Sequence, residues 1–172
     1  MILLNHGIFS FGATAKESYE RMIALVQEAE TYLQQQGAWQ IPQRSVKTSD
    51  TPIAKTLAQL RYDVSQVAGF PVILKGDRRP EILNFTQRED LGRISQQNPA
   101  TPDHVIRTKP VPLIGRDVQG FAAAYKAYFT NQAPEAKEPK TMLDPAPRVI
   151  LDPELGLITV GQTAKAANIV AD

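Results

Sequence analysis

Apolar residues recur at helical spacing in three stretches of the chain and predict three amphipathic helices. Thr14 and Glu17 form a capping box ahead of the first stripe, and Gly37 is placed to end that helix. Gly69 is placed to end the second helix, and Asp117 to cap the start of the third. The three stripes are Tyr19, Met22, Ile23, Val26, Ala29 and Leu33; Ile53, Leu57, Leu60 and Val64; and Val118, Phe121, Ala122, Tyr125 and Phe129.

Short apolar runs bounded by turn residues predict strands. The predicted strands are residues 2–4, 8–11, 72–75, 104–108, 148–151 and 157–160. Residues 76–77 read as a turn, residues 81–85 fit either a strand or a helix, and residues 88–96 fit a short helix. Residues 131–147 contain four prolines and predict an irregular connection. This mixture, with strands sandwiched between helices, is typical of an α/β or α+β protein.

The chain also repeats itself at an offset of 155 − 6 = 149 residues. Residues 6–16 align with residues 155–165, and five of the eleven positions are identical. The identical pairs are Gly7/Gly156, Gly12/Gly161, Thr14/Thr163, Ala15/Ala164 and Lys16/Lys165. The offset has the size of a domain rather than of a solenoid unit. The main difference is that His6, a potential metal or acid/base residue, corresponds to Leu155. A leucine side chain neither binds a metal nor transfers a proton.

Composition excludes several kinds of chemistry. The 172 residues include no cysteine, so disulfides, thiolate nucleophiles and cysteine-based metal sites are excluded. The formal net charge of +1 gives no sign of nucleic-acid binding. No apolar run reaches the length of a membrane span, and the N-terminus lacks the basic region of a signal peptide. We therefore expect a cytoplasmic protein with neither a nucleic-acid nor a membrane partner.

Few residues stand out as candidates for chemistry. A catalytic zinc site usually needs three protein ligands, and the two histidines, His6 and His104, are far apart in sequence. Arg107 and Lys109 fall on one face of a predicted strand, where two cations are able to hold a phosphate or carboxylate. A solvated strand face is the commoner arrangement. If both cations line a pocket, carboxylates such as Asp103, Asp152 and Glu154 are expected to compensate them.

One segment resembles a known family. Residues 3–12, Leu-Leu-Asn-His-Gly-Ile-Phe-Ser-Phe-Gly, followed by a capped helix containing Tyr19-Glu20-Arg21, resemble the C-terminal part of class II aldolase/adducin domains. The resemblance implies that His6 is a zinc ligand. The family's other two histidine ligands come from an upstream His-x-His-Pro strand, with a Glu nearby as acid/base. Neither lies ahead of His6 in these residues, so one zinc ligand of three is present.

A second resemblance is more specific. Residues 100–110 and 155–165 resemble bifunctional rhamnulose-phosphate aldolase/short-chain dehydrogenase proteins, which join a class II aldolase region to a C-terminal Rossmann dehydrogenase. The resemblance implies that Arg107 and Lys109 stand where two zinc-binding histidines would stand, and Leu155 where the third would. Arg and Lys are cationic at neutral pH and repel zinc. The second copy is therefore interpreted as degenerate and non-catalytic.

These resemblances imply a fold class and a domain plan. We expect an α/β protein of the class II aldolase/adducin-like type, with a three-layer sheet, helices on both faces and a degenerate second copy. Residues 1–38 would be the C-terminal end of a class II aldolase domain, and residues 39–50 a linker. Residues 51–172 would be the degenerate aldolase-like domain, truncated before a Rossmann dehydrogenase domain.

The implied function is that of the central segment of a bifunctional enzyme of sugar metabolism. In the parent, zinc would assist cleavage of a ketose phosphate, and NAD would serve only the missing dehydrogenase domain. This chain alone is expected to be inactive, with further copies of itself or upstream and downstream domains of the same protein as partners. Two alternatives stay open. One is a binding or scaffolding module whose Arg107/Lys109 face binds an anion, and the other is a zinc lyase completed in trans by another chain.

Overall fold

The computed structural model describes residues 1–3, 7–39, 46–47 and 52–172, with only the backbone described at 102 and 103. The chain divides into two compact units, unit 1 (residues 1–44 and 100–102) and unit 2 (residues 45–99 and 103–172). The first elements are β1 (Ile2–Leu3), β2 (Gly7–Ile8) and α1 (Ala15–Gln35). The later elements are α2 (Ile53–Ala68), β3 (Ile73–Asp77), α3 (Pro80–Thr86), α4 (Leu91–Ser95), α5 (Pro102–Thr108), β4 (Leu113–Ile114), α6 (Val118–Gln132), a 3₁₀ turn (Ala133–Glu135), β5 (Val149–Asp152), β6 (Gly156–Gly161) and α7 (Ala164–Ala171).

Helix α1 begins and ends where the sequence predicts. The Thr14 hydroxyl accepts a 3.2 Å hydrogen bond from the Glu17 N–H, and the Glu17 carboxylate accepts one of 2.8 Å from the Ala13 N–H. The first bond satisfies an N–H group that the first turn leaves without a helical partner, and the second satisfies the N–H of the residue before the N-cap. At the other end Gly37 adopts the left-handed conformation, with φ of 64°. Its N–H and that of Ala38 bond back to the last turn, which completes a Schellman motif.

Unit 2 is built on a four-stranded mixed sheet in the order β3-β6-β5-β4. Strand β6 pairs antiparallel with both β3 and β5, and β4 pairs parallel with β5. Helix α2 and the sheet share one hydrophobic core, which explains why strands and helix are both rich in branched apolar residues. The buried core residues are Leu60, Val64, Ala68, Val72, Leu113, Val118, Ala146, Ile150, Leu155, Ile158 and Val160. The protein is thus mixed α/β, as predicted.

Several boundaries differ from the sequence prediction. The predicted strand 104–108 is wrong: those residues belong to helix α5, which ends where Lys109 takes a left-handed φ of 64°. The apolar pair Val105-Ile106 is too short a run to separate a strand from a helix, and both side chains are exposed. Residues 76–77 continue β3 rather than turning, and residues 81–85 are helical. Strand β4 lacks a sequence signal because it is only two residues long.

The repeated segments have the same local structure. In the β1–β2 hairpin Ile2 pairs with Ile8 and Leu3 with Gly7. Shifted by 149 residues, these pairs become Leu151 with Leu157 and Asp152 with Gly156, which are pairs of the β5–β6 hairpin. The helices that follow are capped alike, because Thr163 accepts from the Ala166 N–H as Thr14 does from Glu17.

A second set of contacts repeats between the strand and the helix of each copy. The Ser10 hydroxyl donates to the Ser18 carbonyl at 2.8 Å, and the Thr159 hydroxyl donates to the Ala167 carbonyl at the same distance. A Cβ at Gly12 would lie 2.8 Å from the Ser18 nitrogen, and one at Gly161 would lie 2.3 Å from the Ala167 nitrogen. Each glycine therefore lets a helix begin directly against its strand.

Candidate functional site

The histidine predicted as a zinc ligand, His6, lies outside the described residues. Its counterpart in the second copy, Leu155, lies in the turn between β5 and β6 and is only 1% exposed. It belongs to the same buried cluster as Ile150 and Ile158. The repeat position equivalent to His6 is therefore filled by an apolar side chain packed into the core.

A buried carboxylate lies next to Leu155. The Asp152 side chain is 3% exposed and accepts two hydrogen bonds from the Arg116 guanidinium, at 2.7 and 2.9 Å. It also accepts from the backbone N–H groups of Glu154 and Leu155, at 2.9 and 2.8 Å. Burial would raise the pKa of Asp152, but these bonds outweigh burial and hold the pKa below its usual range. The second carboxylate, Glu154, bonds the same guanidinium at 2.5 Å.

The two residues predicted to share an anion-binding face are placed differently. Arg107 is exposed on α5, whereas Lys109 lies beyond the helix and is 4% exposed. The Lys109 ammonium donates to the Asp144 backbone carbonyl and lies 3.8 Å from the centre of the Tyr125 ring. The prediction of a shared strand face is therefore wrong, although anion binding by either residue stays a prediction. The carboxylates expected to compensate these two cations also have another partner, because Asp152 and Glu154 pair with Arg116.

Burial shifts the pKa of Lys109. It lowers the pKa of the ammonium to about 8, and the negative charge of Asp144 opposes this shift. The Asp144 carboxylate itself forms an ion pair with Arg148. Lys109, Tyr125, Asp144 and Arg148 thus form a structural charge cluster between α6 and the segment before β5.

We expect the charge of Lys109 to make stability depend on pH. Between about pH 8 and pH 10.5 the unfolded chain holds this proton while the folded chain releases it, so the free energy of unfolding rises with pH. Relative to Lys109→Met, which keeps the length of the side chain, the wild type should gain about 1–3 kcal/mol over this range. Urea unfolding at a series of pH values measures the difference. Lys126→Met, at an exposed residue of α6, is the matched control. If the free energy of unfolding changes equally with pH in Lys109→Met and Lys126→Met, the prediction is contradicted.

An open groove of about 630 Å³ runs along helix α6, on a surface for which the sequence showed no motif. Aromatic residues of α6 form one side, among them Phe121, Tyr125 and Tyr128, and the segment from Pro110 to Ile114 forms the other. The lining includes Asp117, whose carboxylate already caps α6 through the Gly120 N–H. The helical spacing of the aromatic residues predicts the amphipathic helix, but it gives no indication of a groove.

The described residues do not fit a zinc site. No group of three or more His, Asp or Glu side chains among them is placed to hold a metal ion. Leu155 offers no lone pair, and the neighbouring Asp152 is committed to Arg116 and two backbone N–H groups. In the same part of the chain, no helix has both the length and the apolar character needed to cross a membrane.

Comparison with known proteins identifies the class to which this architecture belongs. The family described as "Aldolase class II, second domain" matches residues 51–172, so the chain belongs to that family. Over 98% of its length the chain is 27% identical to the "Uncharacterized oxidoreductase YuxG" of Bacillus subtilis (strain 168). The chain spans about 27% of that relative's length. No solved structure matches.

Proposed function

We propose that this chain is a non-catalytic central segment of a class II aldolase that also carries a short-chain dehydrogenase. Residues 51–172 form the second, degenerate aldolase-like domain. The observation that carries the proposal is the buried Leu155. It occupies the repeat position of His6, in a hairpin with the same register and before a helix with the same cap.

The wider activity follows from the resemblance and the relative together. The relative is named an oxidoreductase and is much longer than this chain, which supports a dehydrogenase elsewhere in the parent protein. The parent would cleave a ketose phosphate with the help of zinc and oxidise a product with NAD. His6 would contribute to the zinc site of the first copy, and the second copy would serve assembly.

The purified chain is expected to hold far less than one zinc per molecule and to cleave no ketose phosphate. One imidazole does not supply the affinity of a three-ligand site with its supporting hydrogen bonds. Leu155→His restores a single histidine beside a carboxylate that is already paired, so it should hold no zinc either. Elemental analysis and a retro-aldol assay of both proteins measure this.

About one tightly held zinc per chain, lost in His6→Ala, would contradict the proposal and favour a lyase completed in trans. The binding-module alternative is separated by calorimetric titration with phosphate and a ketose phosphate. We expect no measurable heat, because the Lys109 ammonium is buried and bonded to Asp144. Micromolar binding that Arg107→Ala abolishes and Lys126→Ala preserves would establish the anion-binding module instead.

A further inference from the structure

The two copies of the repeat differ most in what covers them. None of the described residues among 1–39 is buried, although α1 carries a long apolar stripe. Phe9 and Phe11 are exposed, Phe11 by 68%. Their counterparts in the second copy, Ile158 and Val160, are each 1% exposed. The equivalent hairpin and helix are therefore buried in unit 2, whereas the described residues of unit 1 are exposed or only partly buried.

Unit 2 identifies the elements that enclose the second copy. Strand β3 pairs antiparallel with β6, from Ile73 opposite Gly161 to Asp77 opposite Leu157. Helix α2, which precedes β3, contributes Leu60 and Val64 to the buried cluster that contains Ile158 and Val160. Helix α7 lies on the other side of β6, where Thr159 bonds to it. A helix–strand segment thus covers the edge of β6 and the face opposite α7.

Among the residues that the structure describes, the first copy has only part of this enclosure. Ser10 bonds to α1 as Thr159 bonds to α7, so one side of the strand is covered. The Phe9 N–H bonds to the Met1 carbonyl, on the side of β1. Because N–H groups alternate between the two edges of an antiparallel strand, those of Ile8 and Ser10 face the other edge.

We propose that the surface formed by residues 8–12 and the apolar stripe of α1 binds a helix–strand polypeptide segment that lies outside these 172 residues. Its strand pairs antiparallel with residues 8–12 in the register that β3 adopts on β6. Its helix lays an apolar stripe over Phe9 and Phe11, as α2 does over Ile158 and Val160. This inference rests on the proposed function, in which residues 1–38 belong to a class II aldolase domain.

Two observations favour a helix–strand segment of the parent protein as the binding partner: the internal repeat and the length of the Bacillus relative. A helix–strand segment is the element that covers the equivalent surface in this same chain. The Bacillus relative has abundant sequence outside the matched region, because the match covers 27% of its length. Burying the exposed Phe and Ile side chains would supply the free energy of association, and the N–H groups of Ile8 and Ser10 on the edge away from β1 would fix its register.

The test uses the full chain with the parts of the Bacillus relative that precede and follow the match, each prepared as a separate fragment. One fragment should form a one-to-one complex in sedimentation analysis, and hydrogen exchange at Ser10 and Gly12 should slow at least about tenfold on binding. Phe11→Asp should weaken the complex at least about tenfold. Ile23→Asp on α1, a second variant, should do the same. Ile106→Asp, at a similarly exposed apolar residue of α5, is the matched control and should bind normally.

Circular dichroism and thermal melting of each variant check that the unbound chain keeps its fold. Failure of both fragments to bind would overturn the inference, as would self-association of the chain that Phe11→Asp abolishes. Binding that Phe11→Asp and Ile23→Asp leave unchanged would also overturn it. The zinc and cleavage assays do not depend on this complex, so they test the proposed function separately.

Discussion

Asp152→Ala is expected to lower the free energy of unfolding by about 2–4 kcal/mol, chiefly because it leaves N–H groups of the turn without an acceptor. The substitution leaves the Arg116 guanidinium without its buried partner and removes the acceptor for two backbone N–H groups in the β5–β6 turn. A buried donor without an acceptor has given up its hydrogen bonds to water and gained none in the protein, which lowers the free energy of unfolding. Urea or guanidinium unfolding near neutral pH measures the loss.

Glu154→Ala is the matched control for this experiment. Glu154 bonds the same guanidinium but is half exposed, so its loss should cost at most about 1 kcal/mol.

The stabilisation that Asp152 provides also depends on pH. Because its pKa is lowered in the folded state, the stabilisation is present above the ordinary carboxyl range and disappears as pH falls through the lowered pKa. Equal losses in the two variants would show that the buried pair does not stabilise the turn.

Leu155→Ala is expected to cost about 2–5 kcal/mol. The side chain is enclosed by the core residues of β5 and β6, so the surroundings close only part of the cavity that its removal leaves. The measurement is again equilibrium unfolding. Leu157→Ala, two residues along the same hairpin and only partly buried, is the control and should cost distinctly less. A loss below about 1 kcal/mol at Leu155 would mean that this side chain is not tightly packed in the core.

The helices with clear start and stop signals were predictable from the sequence. Thr14 and Asp117 cap helices as their residue types suggest, and Gly37 and Gly69 end helices in the left-handed conformation. These signals work because the hydrogen bonds join residues that are close along the chain. The repeat was equally visible, and the paired hairpin registers and hydroxyl bonds agree with it.

The predicted site was less well determined. The strand assigned to residues 104–108 placed Arg107 and Lys109 side by side, and the helix separates them. A short apolar run carries no periodicity of its own, so its structure depends on the neighbours that it meets. The partner of Lys109 was equally hidden, because Tyr125 and the Asp144 carbonyl are distant in sequence.

The sequence by itself determined the capped helices, the internal repeat and the presence of Leu155 at the repeat position of His6. Each depends on residue identity or on contacts within a few positions. Only the tertiary structure decided that Asp152 pairs with Arg116, that Lys109 is buried while Arg107 is exposed, and that the Phe9 and Phe11 side chains are exposed to solvent. Burial and long-range pairing depend on which elements pack together, and one sequence pattern supports an enclosed strand in unit 2 and an exposed one in unit 1.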